Sequence, residues 1–276
     1  MSNTIIKVPL LQKETIRLLD RKMVIFPYAN TKYTGELKKQ WDTVTVETFP
    51  NVAFTTWTTA WDPIAGQDIT ITSENLSVDQ AASLRITLKD IEKVQSNLDL
   101  EAKIADRIAY AQANLLDDYI TSTILNSTNA NITKLNDGAA VALDKTNIFE
   151  EIEKMVVALK DNNAGENSVL FVAPAVASLL RQSGILDASD AWLAVREKWY
   201  LGLISGVIVK EAVNLSSVNK MIMMDRDSVH FVAQLTKVDT RLGTDGFYEN
   251  IIAELVYGST IFDENGKRIC TNEYSL

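Results

Sequence analysis

The sequence has a single histidine, His230, and a single cysteine, Cys270. One histidine excludes a zinc site built from clustered imidazoles and leaves one candidate general base of that kind. One cysteine excludes an intrachain disulfide, so the fold is expected to hold by packing alone, as in a reducing compartment. Long apolar runs are missing too: Val169–Val172 and Met221–Met224 fall far short of the ~20 residues that a bilayer span needs. No membrane contact is expected. Met1-Ser2-Asn3-Thr4 shows no cationic stretch followed by an apolar one, and no secretory signal is expected. Basic charge is scarce, with 27 Lys and Arg against 36 Asp and Glu and a net charge of −9. Such a surface repels nucleic acid at long range, which argues against a dedicated DNA- or RNA-binding module. It leaves room for a protein that encloses nucleic acid without gripping it.

Catalytic motifs are also thin. Gly202 and Gly206 lead into Val207-Ile208-Val209 with no Lys-Ser or Lys-Thr, so they make no phosphate loop. There is no Gly-x-Ser-x-Gly elbow, no repeat at solenoid periods and no low-complexity stretch. His230 is followed by Phe231, Val232 and Ala233 in a strand pattern, which favours a packed histidine over a base. Cys270 would need an activating partner that the sequence does not offer. Asp117-Asp118 and Asp225-Arg226-Asp227 are the candidate cation ligands. Adjacent carboxylates on a helix point apart, however, and the second trio suits a solvated turn. Glu150, Glu151 and Glu153 are explained by a helix N-terminus. Trp41, Trp57 and Trp61 are expected as core or interface anchors. No catalytic residue, metal ligand or cofactor site is assigned, and the chain is not expected to be an enzyme.

What is present is an ordinary globular composition, 46% hydrophobic and 23% charged over 276 residues, enough for one large domain or two small ones. Residues 1–26 hold Leu10, Leu11, Leu18 and Leu19 on a short helix that Pro27 breaks; such a segment suits an arm that needs a neighbour. Residues 41–47 alternate as a strand, and strand patterns recur at Val52–Thr59, Asp68–Thr72 and Leu84–Leu88. This threonine-rich ribbon has little apolar surface, so it is expected to lie on something else, such as another subunit. Asn97 to about Asn126 contains no Gly or Pro, and Ile104, Ile108, Leu115 and Tyr119 lie at helical spacing. The predicted helix is roughly 40–45 Å long, which suggests an elongated molecule. A polar loop follows, then a helix from Ile148 to Leu159, a buried strand Ser168–Ala173 and a helix opened by Pro174. A helix over 189–200, strands Gly206–Val209 and Lys220–Met224, then strands Val229–Leu235 and Ile251–Val256 complete the pattern. Asn265-Gly266 predicts a tight hairpin near residue 270. The class is α+β with an inserted α/β section.

Five segments in this order resemble the Hong Kong 97-type (HK97-like) major capsid protein family of tailed phages. They are Trp41-Asp42-Thr43-Val44, where Trp41 stands in place of the family's glycine, and Leu76 to Leu100. The others are Val169-Leu170-Phe171-Val172-Ala173-Pro174, then Gly202 to Val209 with Asn214-Leu215, and His230-Phe231-Val232-Ala233-Gln234 through Val256-Tyr257-Gly258. The resemblance implies an N-terminal arm (1–26), a first peripheral part (27–52) and an extended loop (53–90). It further implies a peripheral part with the spine helix (91–133), an axial α/β domain (134–228) and closing peripheral strands (229–276). It implies hexamers and pentamers of this chain tiling an icosahedral shell around double-stranded DNA in a virion made in a bacterial host cytoplasm. Scaffolding, portal and decoration proteins are the further partners implied. The alternatives are an encapsulin-like shell holding protein cargo, a soluble α+β enzyme or binding protein, and a ring-forming tail or head-completion protein.

Overall fold

The computed structural model describes residues 23–33, 41–48, 71–89, 100–164, 167–184, 200–242 and 248–276. Several sequence expectations lie outside the described residues: residues 1–22 of the arm, the strand at 52–59, Trp57 and Trp61, the first residues of the long helix, and the helix over 189–199.

Among the described residues, three sheets and a long helix build the fold, and the class is α+β. Strands β1 (Thr43–Thr48) and β2 (Thr72–Ser77) form an antiparallel ribbon, with Thr43 opposite Ser77 and Thr48 opposite Thr72. Strands β3 (Gln80–Lys89), β10 (His230–Leu242) and β11 (Tyr248–Thr260) form an antiparallel sheet with β11 in the middle. Being central, β11 is thirteen residues long, well beyond the Ile251–Val256 core that the sequence marks. Strand β3, expected to rest on another subunit, pairs with β11 of its own chain from Gln80–Tyr257 to Lys89–Tyr248.

The long helix α1 spans Leu100–Leu125, about 39 Å at the usual rise per residue. Ile104, Ile108, Leu116, Ile120 and Ile124 lie four or eight apart and are buried, so one ridge of α1 faces the core. After α1 come two short strands, β4 (Thr133–Lys134) and β5 (Val141–Ala142), and helix α2 (Ile148–Asp161). They are followed by β6 (Ser168–Val172) and helix α3 (Pro174–Ser183), then β7 (Tyr200–Ile204), β8 (Val207–Glu211) and β9 (Lys220–Asp225). With β12 (Ile269–Ser275) these strands make a mixed sheet in the order β4-β12-β9-β6-β8-β7, β5 joining at β12. Pro174 opens α3, and Gly184 closes it in the left-handed conformation at φ 69°. Every residue of β6 is buried, as suits a central strand covered on both faces.

The sequence expectation fails at Asn265-Gly266. There is no hairpin there: Asp263–Gly266 is a one-turn helix, α4, and the strands on either side belong to different sheets. Strand β12 pairs antiparallel with β9 and parallel with β4, so the chain must cross between sheets. Gly266 lies so close to Asn129 that a Cβ would sit 2.7 Å from its Nδ2. Cys270 accordingly lies inside β12, fully buried, and not in a hairpin.

One apolar core runs from α1 through the mixed sheet to β10 and β11, including Leu116, Ile152, Phe171, Met223, Phe231 and Tyr257. A smaller one, Leu76, Val78, Val232 and Phe262, lies under the ribbon, with Val44 and Val46 against it. Here β2 approaches β11 so closely that a Cβ on Gly258 would overlap the Ser77 carbonyl and lie 3.0 Å from the Val78 Cα. Backbone cannot retreat as a flexible side chain can. Gly258→Ala is therefore expected to cost ~2 kcal/mol or more in urea unfolding of the dissociated chain; an unchanged midpoint would show that the ribbon sits loosely on β11.

Candidate functional site

The most constrained polar site is the middle of α1. Asp117 belongs to its buried face and is 4% exposed. Its carboxylate accepts the backbone N–H groups of Val24 at 2.8 Å, Ile25 at 3.2 Å and Phe26 at 3.0 Å. These are the donors left open at the start of the short 3-10 turn Phe26–Tyr28, so Asp117 caps that turn from a distance of 93 residues in sequence. Burial pushes the Asp117 carboxyl up to about 6, the three N–H donors partly offset that, and Asp118 adds repulsion. The segment is sewn down beyond the clamp as well. Phe26 meets Phe231 edge-on at 5.2 Å, Tyr28 meets Phe171 at 5.7 Å, and Asn30 exchanges backbone bonds with Val229 and Phe231.

Two residues on, Tyr119 donates its hydroxyl to Asp79 at 3.1 Å, in the turn joining β2 and β3. Its ring packs edge-on against Tyr257 at 4.8 Å, and burial, then the Asp79 charge, pushes its hydroxyl up to about 12. Asp118, between them, faces a cleft of about 240 Å³ lined also by Val24, Tyr110, Asn114, Asp117, Glu211, Val213 and Asn214. Burial raises the Asp118 carboxyl. The two neighbouring aspartates thus border one cleft, with Asp117 buried against the incoming segment and Asp118 exposed. Glu211 across the cleft is taken by Arg181 at 2.8 Å. Among the described residues no group of three or more His, Cys, Asp or Glu side chains is placed to hold a metal ion.

The remaining candidates are each held in contacts of their own. Asp225 Oδ1 accepts the Arg226 N–H, the Arg226 guanidinium lies 5.3 Å over the Tyr28 ring, and the Asp227 N–H donates to the Tyr28 carbonyl. The trio brackets the clamped segment. His230 lies between Phe262 and Tyr33, its Nε2 2.7 Å from the Asn265 amide nitrogen. Burial pushes its imidazole down to about 4, so it is neutral at pH 7. Cys270 is buried, and burial pushes its thiol up to about 12, far from a nucleophilic thiolate. Glu150 pairs with Lys154 at 3.1 Å, and Glu153 takes the Ser205 hydroxyl. The sequence reading did not foresee the use of Glu151. It is 5% exposed and accepts from Lys154 at 2.8 Å, Asn272 at 3.0 Å and Asn136 at 3.2 Å. Burial raises its carboxyl, but these donors outweigh burial and hold it below the usual range. The signal was there to find: Glu151 is in phase with buried Ile148, Ile152 and Met155.

Among the described residues the arrangement offers no open acid–base pair. What it offers is a joint, in which one helical turn fixes the incoming segment and the base of the ribbon. The ribbon's outward positions Thr43, Thr45, Ser73 and Asn75 are exposed, and Trp41 at its base is 73% exposed.

No family model matches the chain, and no curated protein sequence matches it. Solved structures do. A chain from Mycobacterium phage Che8 is 23% identical with a TM-score of 0.72, over 91% of this chain and 90% of that one. A chain from the capsid of cyanophage P-SCSP1u is 10% identical with a TM-score of 0.69, over 92% and 89%. A chain of the virus-like particle from Pyrococcus furiosus is 13% identical with a TM-score of 0.62, over 96% and 99%. The chain has the fold of these phage capsid and particle chains.

The clamp has a testable pH signature. A carboxyl raised from 3.8 to about 6 is worth roughly 3 kcal/mol. That stability is complete below pH 4 and is lost as pH rises through about 6. Asp117→Asn cannot ionise, so the difference in unfolding free energy should move in the variant's favour by up to ~3 kcal/mol between pH 4 and pH 7. Urea titrations at both pH values measure it, and a difference that stays flat would mean that the carboxylate is comfortable as an anion.

Proposed function

We propose that this chain, folded like the HK97-type capsid subunits that its sequence resembles, is a major capsid protein. It would form hexamers and pentamers that tile an icosahedral shell around double-stranded DNA. The observation carrying this reading is that the fold likeness extends over about nine-tenths of both chains in each phage comparison. The acidic balance fits a container that is filled and not one that grips, because a strongly basic lining would hold DNA in place.

In this reading 1–26 is the N-terminal arm, 27–52 opens the peripheral domain and 53–90 is the extended loop. Residues 91–133 carry the spine helix, 134–228 form the axial domain and 229–276 close the peripheral sheet. The pairing of β3 with β11 suggests that the projecting part of the loop lies between Thr48 and Thr72, with β3 as the third strand of the peripheral sheet. Arm and loop reach adjacent subunits. Each contact is weak, and several per subunit acting together hold the shell by effective concentration. The role is structural, with no bond made or broken. Scaffolding, portal and decoration proteins are the partners such a shell takes, and the virion, assembled in a bacterial host cytoplasm, is its location.

A second reading is a shell of the same kind around protein cargo, since the near-complete overlap with the chain of the Pyrococcus furiosus virus-like particle supports a closed particle without specifying its content. Negative-stain microscopy and the ultraviolet spectrum of particles purified from the native source separate the two. Closed particles with a nucleic-acid spectrum are expected. Closed particles with a pure protein spectrum would favour the cargo shell, and a monodisperse monomer at all concentrations would overturn both. Because Thr48 and Thr72 are register partners, a short turn in place of 49–71 should close the ribbon without disturbing it. The shortened chain is expected to keep its native circular-dichroism spectrum and to lose closed particles. Normal particles from it would remove the loop from the mechanism.

A further inference from the structure

Trp41 combines two costs that nothing within the described residues repays. Its backbone lies in the left-handed region at φ 74°, where glycine is at ease and a side chain with a Cβ is strained. Two hydrogen bonds hold it there: its N–H donates to the Val78 carbonyl at 2.7 Å, and the Val78 N–H donates to the Asp42 carbonyl at 3.0 Å. The ladder of β1 and β2 thus runs one step past Thr43 and Ser77 and fixes the backbone of Trp41. The strain places an indole in water, 73% exposed, beside strands whose own apolar residues Val44, Val46 and Leu76 turn inward. An observed backbone outlier carrying a large apolar side chain outward points to a contact.

We infer that Trp41 is an anchor between copies of this chain, seated against a neighbouring copy; this rests on the shell reading above. Charge selects the occupant. Two copies at net −9 repel each other except where the meeting surface carries no charge. The patch running outward from Trp41 is such a surface. Thr43, Thr45 and Asn75 are exposed and uncharged, Thr45 and Asn75 satisfy each other at 2.8 Å, and the ribbon's exposed charge on that face, Glu47, stands opposite Ser73 beyond them. Among the described residues β1 pairs with β2 alone. A tryptophan held out from the surface beside an uncharged face suits an interface hot spot once a neighbour covers it.

The full-length chain tests this, with Trp41→Gly as the probe. Glycine suits the left-handed backbone, so the variant's dissociated form should melt at the wild-type temperature or above. Its assembly should require roughly tenfold more protein, read by light scattering, which is what losing one hot-spot side chain does. Trp41→Phe, which keeps an aromatic ring, should recover part of the loss. A glycine variant that assembles at the wild-type concentration would overturn the inference while leaving the shell reading intact. A wild-type chain that never assembles would overturn the shell reading and this inference with it. Hydroxyl-radical footprinting gives a readout without mutation. Trp41 oxidation should slow at least about fivefold on assembly, and equal oxidation in both states would also overturn the inference.

Discussion

A single turn of helix, Asp117 to Tyr119, sets the frame for the rest of the molecule. Its first residue gathers the three open N–H donors of the segment entering at Val24, and its last ties down the turn between β2 and β3. Both attachments are long-range in sequence, and both converge on one turn of a continuous helix. Side chains on such a rod keep fixed spacings, so the entering segment and the ribbon base cannot move independently.

The two buried carboxylates show how burial and partners compete. Asp117 has only backbone dipoles for company, and desolvation prevails, so its carboxyl titrates high. Glu151 is less deeply desolvated and gains the Lys154 ammonium with two asparagine amides, and titrates low. A dipole softens the cost of a buried anion, whereas a full opposite charge reverses it. The first arrangement makes a clamp with a pH-dependent strength, and the second a permanent tie between α2 and β12.

How much of this was legible in the sequence depended on the range of the interaction. Helix α1 was readable because Ile104, Ile108 and their successors repeat at one spacing with no Gly or Pro between them. Strand β6 followed by Pro174 was readable for similarly local reasons. The resemblance to capsid subunits rested on five short segments, and its strength lay in their order, which the fold likeness matches. The Asp117 clamp was invisible because it joins residues 93 positions apart, and no local pattern marks a carboxylate that will cap a distant turn. Asn265-Gly266 misled for the opposite reason. The pair favours a tight reversal, yet β12 gains more from β9, β4 and β5 in the mixed sheet than from folding back on β11. Propensity yielded to tertiary pairing.

Strand β12 has one more consequence. It lies between β9 and β4 in the mixed sheet, yet it is made after every other strand described. During translation, therefore, β9 keeps an unsatisfied edge until residues 269–275 emerge from the ribosome. The mixed sheet is therefore complete only once the last of the described strands has been made.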